Sequence, residues 1–219
     1  RNFNANLSRW ATNKVTTLNH LFGAAANFNG DLSTWATGEV TEMFGTFNGA
    51  GTFNGDLSKW ATGKVTTIGE AFKDAANFNC DISKWDTSKV TSMQSLFRGA
   101  TTFNGDVSTW DTSKATDLGG AFRGATRFNG DISRWDTSRV ADMGSLFQEA
   151  SAFNGDISKW DTGKLGNMSD MFALATNFRG DTICQWDTSK VTVWTTPFRS
   201  AGRDCPFVGC GAPADPCNS

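Results

Sequence analysis

Large apolar residues fall in six columns that recur every 25 residues. From Phe103 the order is Phe103, Val107, Trp110, Ala115, Leu118 and Phe122, and the same six positions return from Phe78 as Phe78, Ile82, Trp85, Val90, Met93 and Phe97. Trp stands at 10, 35, 60, 85, 110, 135 and 160 without a slip, then at 186 after 26 residues. Such a rhythm belongs to a repeat array whose units bury their apolar faces against one another. Between Phe and Trp the tripeptide Asn-Gly-Asp supplies a tight turn, and Asp106 to Trp110 predicts a short extended segment. In the second half, Val90, Met93, Leu96 and Phe97 follow i, i+3, i+6 and i+7, which predicts a strand-like step into a short helical or 3₁₀ turn closed by Gly99-Ala100. Eight coils at a strand spacing of about 4.8 Å would make a rod roughly 38 Å long. The sequence thus predicts a β-solenoid of eight 25-residue coils over residues 1–201 and a Cys- and Pro-rich cap over 202–219.

Composition narrows the function. Eighteen Phe and nine Trp, with no Tyr, concentrate the apolar mass in a few large side chains. Twenty basic against 22 acidic residues leave a net charge of -2, so no basic field is expected to attract nucleic acid. No stretch approaches the roughly 20 apolar residues that span a bilayer, so no membrane insertion is expected. Arg1 in place of an initiating Met marks a processed form or a segment of a longer chain. Cys184, Cys205, Cys210 and Cys217 crowd the C-terminal end with all four prolines, the pattern of a disulfide-tied cap in an oxidising compartment. Cys80 stands alone in the fourth coil, about four rungs or roughly 19 Å from Cys184, beyond the ~7 Å that a disulfide bridges. It is therefore expected to be free, buried or joined to another molecule.

Polar columns are the candidate chemistry. Thr12, Thr37, Thr62, Thr87, Thr112, Thr137, Thr162 and Thr188 form an unbroken ladder. It reads either as corner turn chemistry or as a surface array that orders water, the requirement of an ice-binding face. The Asp column (Asp31, Asp56, Asp81, Asp106, Asp131, Asp156, Asp181) brings like charges close together, and backbone N–H groups of the following turn are the expected partners rather than calcium. Sequons at Asn6 and Asn167 are candidate glycosylation sites. His20 is the only histidine and no carboxylate pair is singular, so neither an enzyme nor a cofactor is expected. The Trp column is assigned to the core rather than to a glycan-stacking platform.

FNCDISKWDTSKVTSMQSLFRGA and FNGDISKWDTGKL with the following NMSDMFALA resemble the repeat of BspA-like surface proteins, relatives of the leucine-rich repeat. The resemblance covers residues 3 to about 201, departing locally where Ala stands at 11, 36 and 61 and where Cys80 replaces Gly. It implies an LRR-like solenoid with an extracellular, structural or adhesive role. The expected partners are other copies of the chain, stacked end to end or side by side, or an extracellular glycan or protein. Arg1-Asn2-Phe3 enters directly into repeat sequence, so either further repeats precede it or the first coil docks onto another molecule. Head-to-tail docking of that kind propagates into a filament.

Overall fold

A computed structural model describes residues 3–180, 183–195 and 197–199. Units stack side by side in parallel, joined by bridges Thr17 to Glu42, Glu42 to Thr67, and onward to Asn167 and Val193. The offset is one repeat at each step, with the extra residue of the last repeat absorbed between Asn167 and Val193. No strand, helix or 3₁₀ turn forms among the described residues, where isolated bridges and turns replace the short strands and helical turns expected from spacing.

The backbone accounting of the fourth unit gives the reason. The N–H groups of Met93, Ser95, Phe97 and Gly99 donate forward to the carbonyls of Asp117, Gly119, Ala121 and Arg123 in the next unit, at 2.7–3.0 Å. Those of the intervening Leu96, Arg98 and Ala100 close i→i−3 turns on Met93, Ser95 and Phe97. A helix would direct every N–H along its own axis, whereas here alternate donors leave the unit. The path needs a left-handed residue at every fourth position, and Ser95 (φ 53°) and Gly99 (φ 69°) supply it. Apolar spacing alone does not distinguish a helical turn from such a chain of β-turns.

The first half of each unit is also turn-built. Trp110 N–H closes a turn on the Val107 carbonyl at 3.2 Å, where an extended segment was expected. An asparagine ladder runs beside it. Asn79 N–H donates to the side-chain oxygen of Asn54, Asn104 to Asn79, Asn129 to Asn104 and Asn154 to Asn129, all at 2.8–2.9 Å.

Inside, rings stack on rings. Phe72 lies 3.8 Å from Phe78, which opens the next unit, and 5.6 Å from Phe97, which closes that unit's apolar columns, centroid to centroid. Trp60, Trp85 and Trp110 stack nearly parallel at 6.4 Å. From Trp35 to Trp186 each indole N–H of the column is satisfied by a carbonyl of the preceding unit, as Trp110 Nε1 donates to the Ile82 carbonyl at 3.2 Å. From Phe28 to Phe178 all six apolar columns are buried, so the Trp column belongs to the core. Cys80 is a free thiol packed against that core, and Cys184 is disulfide-bonded. Cys205, Cys210, Cys217 and the expected cap over 202–219 lie outside the described residues.

Candidate functional site

The structure moves the Thr ladder from the surface to the interior. Thr12, Thr37, Thr62, Thr87, Thr112, Thr137, Thr162 and Thr188 are 1–8 % exposed, so they form no water-ordering face. Their hydroxyls join units instead. Thr87 Oγ1 donates to Asp111 O at 2.9 Å and Thr112 Oγ1 to Asp136 O at 3.0 Å. Where Ala replaces Asp, the same oxygen also accepts, as Thr37 does from Ala61 N–H at 2.8 Å. A short β-branched side chain beside the Trp column buries its methyl and still reaches the next unit's backbone.

The Asp column is exposed and locally capped. Asp81 Oδ1 accepts from the Ser83 hydroxyl at 2.7 Å and the Ser83 N–H at 2.9 Å, and these bonds, the hydroxyl's foremost, hold its carboxyl below the usual range. Asp181 lies outside the described residues. Asn6 occupies the corresponding place in the first unit, exposed, with its oxygen accepting from Ser8 N–H at 3.0 Å. Asn167 is half-buried in the bridge row. Its amide nitrogen donates to both Asp142 oxygens at 3.0 and 3.1 Å, and its oxygen accepts from Ser169. Of the two sequons, Asn6 thus presents an accessible amide and Asn167 a tethered one.

Two places break the repeat's uniformity. The first is the face of the first unit. Phe3 stacks on Phe28 at 5.6 Å and Trp10 on Trp35 at 6.2 Å, as inner units stack on each other, but their outer sides are open. Phe3, Trp10 and Leu21 are 44 %, 56 % and 46 % exposed around a depression of about 310 Å³. The edge is polarised as well. Inner units receive N–H groups on the carbonyls equivalent to Thr17, Asn19, Leu21 and Gly23, and in the first unit those four accept no backbone hydrogen bond among the described residues.

The second is a polar groove of about 250 Å³ across units four to seven. In earlier units the corresponding face is filled: the His20 ring meets Phe44 edge-on at 5.3 Å, and Lys73 pairs with Glu70 at 3.1 Å. At Gly119, Gly120 and Gly144 the side chains vanish and the groove opens. Arg98 and Arg123 line it from one unit position, and Asp142 and Asn167 from another six residues earlier in the unit. Beside it, burial raises the pKa of Asp117, the Gly119 N–H opposes that rise, and the charge of Asp142 adds to it. Sequence reading missed this groove because its residues sit in columns that vary from unit to unit. Their departure from the repeat was the available signal.

A family model described as "Mycoplasma protein of unknown function, DUF285" matches residues 1–110 and again residues 91–204. No curated protein and no solved structure matches the chain.

Proposed function

The chain belongs to the DUF285 family, and on that premise we propose that it is a solenoid of the BspA-like, leucine-rich-repeat-related kind, working outside the cell as a structural or adhesive protein that self-associates by stacking. The observation that carries the reading is the first unit's face. It exposes Phe3, Trp10 and Leu21 beside a row of four carbonyls that accept no backbone hydrogen bond among the described residues. Its chemistry is that of the interface between neighbouring units, so a unit edge offering N–H groups fits it. The four carbonyls of two such faces cannot pair with each other, and the N–H groups of Thr16 and Asn4, whose counterparts donate to a preceding unit, lie on the same face. Both sets together match the opposite edge of a unit, which favours a head-to-tail contact over a symmetric one. A preceding repeat of a longer chain would meet the same chemistry. The ice-binding alternative loses support, because its Thr column is interior. The size distribution of the chain against concentration, compared with a Leu21→Asp variant, tests the stacking.

A further inference from the structure

We propose that the groove across units four to seven is a saccharide subsite for a carboxylated sugar, with the sugar's carboxylate on Arg98 and Arg123 and its ring hydroxyls on Asp142, Asn167 and Ser145. The inference goes beyond the stacking reading and stands without it, since no groove residue touches the first unit's face.

Size sets the first bound. About 250 Å³ lies just under the ~300 Å³ at which sites for small organic ligands begin, so the groove takes one ring of an open-ended chain rather than a folded partner. Charge sets the second. Arg98 has no ion-pair partner among the described residues, and Arg123 has only a 3.5 Å contact with Glu149. Both guanidiniums thus remain able to bind an anion bidentately. A lone cation is repelled by these arginines, and a bare anion gains nothing from Asp142. A ligand with a negative group at one side and hydroxyls at the other uses both walls.

The hydrogen-bond inventory favours a sugar over a phosphate or a zwitterion. Floor N–H groups are taken: Gly119 donates to Asp117 at 2.8 Å, Gly144 to Asp142 at 2.8 Å, and Gly120 to the Gly144 carbonyl at 2.8 Å. No backbone nest of the kind that holds phosphate is left. Asp142 already accepts from Gly144 and from the Asn167 amide, which weakens its pull on an ammonium but leaves lone pairs for a hydroxyl. These bonds also hold Asp142 and Asn167 in fixed orientation before any ligand arrives. No aromatic ring lines the groove, so recognition runs through the sugar's polar edge rather than its face.

Titration calorimetry of the full chain tests this with digalacturonate, neutral cellobiose and sodium sulfate. Saturable binding of digalacturonate is expected, with cellobiose at least about tenfold weaker and sulfate unable to displace it. The double variant Arg98→Gln/Arg123→Gln should lose about tenfold or more in affinity at unchanged thermal midpoint. Lys159→Gln/Lys164→Gln, which removes the same charge elsewhere, should bind like the parent. The proposal is overturned if digalacturonate does not bind, if cellobiose binds as tightly, if sulfate competes, or if both double variants lose affinity equally. Should the arginine variant unfold, digalacturonate shifts of the Asn167 side-chain amide in NMR spectra of the parent decide it, and their absence refutes it.

Discussion

Thr112 Oγ1 donates to the Asp136 carbonyl at 3.0 Å, but fifty residues on Thr162 keeps a buried hydroxyl with no partner. The break coincides with the 26-residue step from Trp160 to Trp186, the irregular interval in the Trp column. Thr112→Val should therefore cost about 1 kcal/mol by removing a part-buried hydrogen bond, while Thr162→Val should be neutral or stabilising. At this chain length 1 kcal/mol moves a thermal midpoint by about 2–4 °C, so calorimetry separates the two variants. Equal losses would refute the assignment.

The left-handed positions make a second pair. Gly124 has φ 68° and a Cβ there would find no atom nearer than 3.6 Å, so Gly124→Ala pays for conformation alone and should lose about 1 kcal/mol. Leu174, at φ 61°, carries the opposite strain. Leu174→Gly should raise the midpoint by a degree or more, which thermal melting followed by Trp fluorescence would check.

How much of this was visible beforehand follows from what a repeat encodes. Trp85, Trp110 and their equivalents are evenly spaced because each occupies the same interior site, so period, core columns and unit boundaries were plain in the sequence. Which side of the backbone Thr112 faces was not, because period gives recurrence and not direction. Val90, Met93 and Phe97 suggested a helical turn, since the alternation of donors within and between units leaves no mark on apolar spacing. Arg98, Arg123 and Gly119 escaped notice because they do not repeat.

Acid should unfold the array through its Asp–Ser turns. Asp56, Asp81 and Asp106 accept from the following Ser hydroxyl and N–H, which lowers each pKa below 3.8. A folded value below the unfolded one means stabilisation that is present above about pH 4 and lost as pH falls through the folded value. Asp117 has the reverse sign, its raised pKa relieving a penalty on acidification, but it is one group against many. The midpoint should be level from about pH 7 to 5 and decline below about 4. Ser83→Ala/Ser108→Ala should shallow that decline, and an unchanged acid limb would count against the capping account.

Burial pushes the Cys80 thiol up to about 11. At pH 8 only about one thiol in a thousand is then thiolate, the reactive form. Iodoacetamide labelling of the Cys80 peptide, followed by mass spectrometry, should be about a hundredfold slower in the native protein than after denaturation. Labelling at the unfolded rate would place the sulfur in solvent.

Sedimentation velocity across concentration tests the stacking most directly. The 219-residue chain should grow from monomer into progressively larger, elongated species as concentration rises, and Leu21→Asp, which puts a charge on the open face, should remain monomeric with an unchanged thermal midpoint. A parent chain that sediments as one monomeric species at every concentration, or a Leu21→Asp variant that associates as the parent does, would contradict it.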